Sequence, residues 1–337
     1  MFKSKWVIGG VFILLLTCLS FDYQTKKKNY TTSLMWYNDE NLFYTLNDLS
    51  KNDYDFTPSG KLNSNTFKYQ SKINNIACYI MSQSKELTSF FESCEIKKKH
   101  VINYFLNTIS YLIDCNTVHY YFLDKGYINK GYLYNDKKSV HLYSKSIPVY
   151  FNSHPNDKTL GLIYLQYKLI DNLDNINILL AHFPSRRGRT VLSQSKRIQV
   201  ADYSSQWMKG NGVDKYRIFV SDFNNQPCDL SISKYINKHF LNSKHETQLY
   251  KLIWNSYKKL DSFYYQGKWE KLEQFIISHS LFNKYLIDEK LNIVSVFKPN
   301  CLLKRTQIGY SVPFRKYEGL KWENGYDGHL PVVLKLN

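Results

Sequence analysis

The sequence predicts an α/β domain in which strands and helices alternate along the chain. NINILLAHF is an apolar run of strand length, SKRIQVADYSSQWMKG carries helical spacing, and YRIFVSD returns to a strand pattern. KYQSKINNIACYIMSQ is a second helix, because Ile73, Ile76, Ala77 and Ile80 recur at three- and four-residue intervals and so share one face. HLPVVLKL closes the chain as a last strand, which completes the alternation. With 337 residues, 43% of them hydrophobic, the chain can bury a sizeable core.

The elements follow in order. Lys3 and Lys5 precede an apolar run from Trp6 to Leu16, shorter than the roughly 20 residues that span a bilayer. Residues 1–24 therefore read as an export signal or membrane anchor. LLLTC resembles a bacterial lipoprotein signal ending at Cys18, where the cysteine is lipidated, although Thr17 is larger than the residue usual there. A cleaved secretory signal and an uncleaved anchor fit as well. Each reading places the folded part outside the cytoplasm, at the bacterial cell envelope or secreted, with the membrane as a partner through the N-terminus. Residues 25–32, with three consecutive lysines, suit a basic tether. The domain expected over 33–337 begins with SLMWYN as a short strand, followed by a polar, turn-rich loop that leads into the KYQSKINNIACYIMSQ helix. No repeat and no Pro/Ser-rich break divides it.

Lys and Arg exceed Asp and Glu by 45 to 28, a formal +17, so the protein's field draws polyanions or acidic lipid head groups. The basic residues are scattered, which makes nucleic acid one candidate partner among others. Nothing points to a protein partner, and a monomer is expected. The six cysteines form no CxxC pair and have no histidine at zinc-site spacing.

Three segments carry candidate chemistry. In YRIFVSDFNNQP the strand ends in Asp222 and Asn224, and the two-residue period would send both side chains to one side. A carboxylate that positions water or a metal would then stand beside an amide that donates to phosphate oxygen. LLAHFPSRRG ends a strand in His182 and follows it with Arg186 and Arg187, whose forked donors suit phosphate. GYDGHLPVV sets His329 in a Gly-flanked turn with Asp327 two residues earlier, an arrangement in which a carboxylate can orient an imidazole. Taken singly, each also fits a plain structural role: a turn, a cap or a solvated basic loop.

In order, these segments resemble the endonuclease/exonuclease/phosphatase family. WYNDENLFYTLND with DYDFTPSG is similar to the opening YN-x-ENLFD…FTP-x-G of a bacterial branch, SCEIKKKHV to its CE-[IV]-EN segment and AHFPSRRG to NHWPSRRG. VSDFNNQPCD is similar to GDFND-x-P, YYQGKWEKLEQFIIS to Y-x-Y-x-G-x-W-x-x-LDQ-[IL]-[IL]-S, and YDGHLPV to YSDHLP. The resemblance implies a deoxyribonuclease-like, four-layer sandwich of two stacked, mainly antiparallel sheets flanked by helices. It implies Asn38 and Glu95 at the metal, His182 on the phosphoryl oxygens, Asp222 and Asn224 orienting nucleophile and transition state, Glu273 supporting a catalytic histidine, and His329 as general base; Asp327, where the family often has Ser, is the candidate metal-site carboxylate that could substitute for the aspartate missing at position 328 if its side chain turns inward. Arg186, Arg187 and His119 are the implied substrate-phosphate contacts. The implied cofactor is Mg²⁺, with Mn²⁺ or Ca²⁺ as alternatives.

The chain also departs from that pattern. Gly328 replaces the aspartate before the terminal histidine, Glu273 replaces an aspartate, Gly126 and Asn129 replace an Arg and an Asp, Ala181 replaces an Asn and Ser221 a Gly. Two readings follow. One is an exported Mg²⁺-dependent phosphoesterase that cleaves phosphodiester or phosphomonoester bonds by in-line attack of a His-activated water. The alternative is a catalytically impaired member that binds nucleic acid, anionic lipid or an envelope partner. The placement of the Asp327 carboxylate relative to the His329 imidazole is the observation that bears on them.

Overall fold

The computed structural model describes residues 32–42, 45–47, 53–82, 90–96, 103, 107, 118–123, 129–151, 161–186, 190–210, 215–236, 249–251, 261–285 and 294–336. The leader and all of the tether except Thr32 lie outside these residues, as do Asp124 and Gly126. No helix among the described residues is long and apolar enough to cross a membrane.

Among the described residues the two largest sheets have six strands each, beside three two-stranded ribbons. The first runs from β13 (Val294–Val296) through β18 (Val332–Leu336), β1 (Thr32–Leu42), β2 (Phe90–Ile96) and β4 (Asn129–Asn135) to β3 (Val118–Leu123). The second runs from β5 (Ser139–Ile147) through β6 (Leu162–Leu169), β7 (Asn175–His182), β8 (Arg217–Asp222) and β12 (Glu273–Ser278) to β9 (Leu249–Lys251). Parallel pairing is confined to β1 with β2 and β7 with β8; the other pairs are antiparallel. Parallel neighbours need a long crossover, and helix α2 (Thr190–Gly210) supplies it between β7 and β8. The sequence-predicted helix is α1 (Thr66–Ser82).

Strand alternation builds the layers. Along β1, Leu34 and Trp36 join a core that includes Leu165, Ile178, Leu180, Ile218, Val220, Phe275, Ile277 and Leu334, drawn from both sheets and lying between them. The intervening Met35 and Tyr37 face the other way, onto Tyr69, Ile73, Ile76 and Ala77 of α1. In the second sheet Leu179, Ala181 and Phe219 likewise turn outward onto Val200 and Ala201 of α2. The layers are therefore helix, sheet, sheet, helix, as the family resemblance implies. Strands covered on both faces read as continuous apolar runs, which is why ILLA in β7 and IFV in β8 lack a two-residue alternation.

The inter-sheet core carries the stability. Ile178→Ala should lower the unfolding free energy by about 2–5 kcal/mol in denaturant titration, whereas Val140→Ala on the exposed edge strand β5 should change it by less than about 0.5 kcal/mol. Equal effects would contradict this assignment of the core.

Candidate active site

Register and parity bring the polar residues together. The parallel β7 and β8 pair His182 with Asp222, and the antiparallel β12 sets Glu273 opposite Asp222. These residues continue the inward-facing series Ile178–Leu180–His182, Ile218–Val220–Asp222 and Ile277–Phe275–Glu273. Where the apolar core ends, three ionisable side chains take its place on the same face. Asn38 does the same for β1, two residues beyond Trp36, and its Nδ2 donates to Asp222 Oδ2 at 3.0 Å, linking one sheet to the other. Asn38 Oδ1 accepts the Glu40 backbone N–H at 3.0 Å.

Asp222 gathers further partners. The Asn224 backbone N–H donates to its Oδ1 at 2.8 Å, and His182 Nε2 stands 3.8 Å from Oδ2. Asn224 itself is not extended: its φ of 47° is left-handed, a conformation asparagine tolerates better than most residues. The Asp222–Asn224 proximity thus comes from a turn beyond the strand end rather than from the expected strand period. Asn224 Nδ2 donates to the Phe183 carbonyl at 3.0 Å, tying this turn to the one after His182.

His329 enters from the segment before β18. It is held by a bridge to Phe263 in the hairpin of β10 (Phe263–Tyr265) and β11 (Lys268–Glu270), and by the Leu330 N–H donating to the Ser262 carbonyl at 2.7 Å. Its Nδ1 makes a short hydrogen bond with Glu273 Oε1 and lies 4.0 Å from Asp222 Oδ2.

Burial sharpens the electrostatics. It raises the Asp222 pKa, as does the adjacent Glu273, against the opposing pull of His329, His182 and the Asn224 N–H. For His329 burial works against the cation, but Glu273, Asp222 and Asp327 outweigh it and bring the imidazole up to about 10. Beside this cluster sits a second acidic pair. Burial drives the Asp327 carboxyl well above the usual carboxylate range, against the field of Lys72, and Glu40 pushes it further. Burial opposes the charge on Glu40 too, but the hydrogen bond with Asp327 and the fields of His329, Arg315 and Lys72 bring it down to about 2. Within the pair the surroundings favour the charged form on Glu40 and the neutral form on Asp327.

A family model for the endonuclease/exonuclease/phosphatase family matches residues 33–337. The chain belongs to that family. Among solved structures, an endonuclease/exonuclease/phosphatase family protein of Bacteroides thetaiotaomicron is similar at 14% identity, covering 90% of this chain and 97% of that one, with a TM-score of 0.58. A mannosyl-6-phosphatase from the same organism is similar at 13% identity over 91% and 99% of the two chains, TM-score 0.54. A humanized D. rerio TDP2 is similar at 11% over 91% and 98%, TM-score 0.54. These likenesses show the fold. No functionally curated protein matches the chain in sequence. Members of the family are hydrolases acting on phosphoester bonds, and a divalent metal is usual among them.

The departures from the family pattern sort by face. Ala181 and Ser221 lie at outward-facing positions of β7 and β8; Ala181 packs toward α2 and the Ser221 hydroxyl donates to the Asp222 carbonyl at 2.8 Å. Neither position faces the cluster. Glu273 does face it, and its longer side chain reaches His329 Nδ1 directly. Asp327 is buried but committed elsewhere: it accepts the Gly328 N–H at 2.6 Å, bonds to Glu40, and lies 3.4 Å from Lys72 Nζ. The carboxylate that holds His329 is Glu273.

Other predicted residues fall outside this centre. Both guanidinium ends of Arg186 are bound to the Glu270 carboxylate, which also accepts from Gln226 Nε2 at 3.3 Å. Glu95 lies in β2, one residue beyond Cys94, the register partner of Asn38, and His119 in β3 pairs with Tyr134. The side chains of Glu95 and His119, and all of Arg187, lie outside the described residues. Glu40 and Lys72 were not singled out from the sequence. Glu40 lies inside the quoted YNDENLF motif. Lys72 falls on the apolar stripe of α1, where its buried ammonium also donates to the carbonyls of Asp39 and, at 2.8 Å, Glu40.

Asp222, Glu273 and His329 offer ligand atoms that all lie within 4.8 Å of one another. Glu273 Oε2 is fully buried and has no hydrogen-bond partner among the described residues. Two adjacent buried carboxylates with an unused oxygen fit a hard divalent cation.

The Glu273 pairing is directly testable. In metal-free protein His329 should titrate near 10, and Glu273→Gln should move its midpoint down toward the usual 6.5, read by imidazole NMR. Because the folded pKa is raised, the stability it contributes is full below 6.5 and lost as pH rises through 10. A midpoint unchanged in the variant would sink Glu273 as the principal cause.

Proposed function

We propose that this protein is an exported, divalent-metal-dependent phosphoesterase in which His329 activates the attacking water. The Glu273–His329 hydrogen bond, made beside Asp222 and His182, is the observation that carries the reading. With Nδ1 committed to Glu273, Nε2 is the nitrogen left to take the water's proton, and the carboxylate stabilises the imidazolium that results. Asp222, fixed by Asn38 and by the Asn224 N–H, orients the nucleophile. His182 and the second N–H of the Asn224 amide are donors suited to the charge that gathers on the phosphoryl oxygens. A divalent cation, Mg²⁺ or in its place Mn²⁺ or Ca²⁺, held by Asp222 and Glu273 with Asn38 and Glu95 nearby in the fold, would neutralise that charge and counter the fields that keep His329 protonated.

The formal charge of +17 favours polyanionic substrates, nucleic acid included, and the resemblance to a mannosyl-6-phosphatase fold keeps phosphomonoesters in the same class. The Lys-flanked apolar leader supports placement at the cell envelope or beyond. The alternative of an impaired, purely binding protein rests on Gly328, Glu273 and Gly126 together with the +17 charge; Gly126 lies outside the described residues, and the reach of Glu273 to His329 favours catalysis.

Protein comprising residues 25–337 should hydrolyse bis(p-nitrophenyl) phosphate or p-nitrophenyl phosphate with Mg²⁺ and stop with EDTA. His329→Ala should lower kcat by about 10²–10⁴-fold. Turnover that ignores chelation, or a variant as fast as the parent, would overturn the mechanism. Recovery of the full-length protein in the cytosolic fraction would remove export from it.

A further inference from the structure

Gly328 has no side chain, yet the space beside it is filled. A Cβ built there would come within 2.5 Å of Arg315 Cζ and 2.9 Å of its Nε, and closer still to Nη2. The volume in which relatives carry a carboxylate, one residue before the terminal histidine, holds a guanidinium in this chain. Arg315 follows β15 (Ser311–Pro313) and is fixed by a backbone bridge to Tyr326, two residues before Gly328.

The guanidinium is held by uncharged groups, while its field reaches the Glu40 carboxylate. Its Nη2 donates to the Tyr264 carbonyl at 2.8 Å, and its Cζ stands 5.5 Å from the Phe263 ring and 5.9 Å from the Tyr265 ring. Phe263 also borders the site, because the Phe263 and His329 rings lie 4.3 Å apart. Among the described residues Arg315 forms no ion pair and no second hydrogen bond, although a guanidinium carries five N–H donors. It is partly exposed and so reachable by a ligand.

We propose that Arg315 is a phosphate-binding residue of this site, donating its free N–H groups to an oxygen of the substrate's phosphate. The inference rests on the phosphoesterase reading of the His329 cluster and assigns part of the substrate contact to a residue the family pattern does not mark. A forked donor is matched to phosphate oxygens, and one already held by a carbonyl and two rings loses little freedom on binding. A guanidinium therefore stands as a fixed cation at the place where the family pattern has an anion. Gly328 is the condition for this, since any side chain there would displace the guanidinium.

The test is calorimetric titration of the full chain in detergent with inorganic phosphate, beside kinetics on p-nitrophenyl phosphate. Arg315→Ala and Arg315→Gln should weaken phosphate binding by about tenfold or more, raise KM, and change kcat less. Arg315→Lys should retain part of the affinity. Gly328→Asp, which sets a carboxylate against the guanidinium, should weaken phosphate binding as Arg315→Ala does, and it reports on the proposal even if Arg315→Ala does not fold. Unchanged phosphate affinity in these variants, or no phosphate binding by the parent, overturns the proposal. Arg315-dependent phosphate binding without any turnover would leave it standing and remove the hydrolase reading; turnover with an Arg315-independent KM would do the reverse.

Discussion

Asp222 is a fully enclosed carboxylate at the place where the two sheets meet, and the arrangement around it follows from that burial. A buried charge must be paired or hydrogen-bonded, because the penalty for leaving water is several kcal/mol per ion. Each sheet contributes to the settlement: Asn38 reaches across from β1, the Asn224 N–H caps the other oxygen, and His182 and His329 stand within 3.8 and 4.0 Å. Glu273 adds a second carboxylate directly opposite in the register, so the two anions together demand a cation. His329 bonds to Glu273 and stands 4.0 Å from Asp222, and the fields of the two carboxylates help raise its pKa to about 10.

The same logic governs the neighbouring acidic pair. Glu40 and Asp327 are hydrogen-bonded to each other, and Lys72 stands 3.4 Å from Asp327 on the buried side of α1. Lys72 also takes the carbonyls of Asp39 and Glu40, at a place where Glu40 has a φ of 26° and β1 shifts register against β2. A strand that breaks its ladder there frees backbone groups, and the lysine is what satisfies them. The irregular end of β1 is thus part of the site's construction: it presents Asn38 inward while Glu40 turns to meet Asp327.

Much of this was legible in the sequence because it depends on periodicity. The strands that end in His182 and Asp222 could be read as apolar runs, and the order of the motifs implied a sandwich that brings them together. What could not be read depends on side-chain reach and on contacts between distant segments. The resemblance implies that Glu273 supports a histidine, but that its longer side chain arrives at Nδ1 of His329 shows only in the path of the Phe263–His329 bridge. Asp327 looked like the natural partner of His329 from its spacing, but local chain direction turns it to Lys72 and Glu40. Arg315, in SVPFRKYEG, carries no pattern that would connect it with Gly328.

The departures from the family pattern obey the strand geometry that made the fold readable. Ala181 and Ser221 alternate with His182 and Asp222, so they face α2 and its surroundings, where the demand is for small packing groups rather than for chemistry. Departures on the inward or loop side meet a stricter constraint, since they change charge or reach within a buried cluster. Glu273 and Gly328 are each matched by a second feature: the added methylene of Glu273 by a direct bond to His329, the missing side chain of Gly328 by a guanidinium in its place. Neither change leaves vacated volume, because the longer carboxylate arm ends on the imidazole and the arginine fills the space beside the glycine.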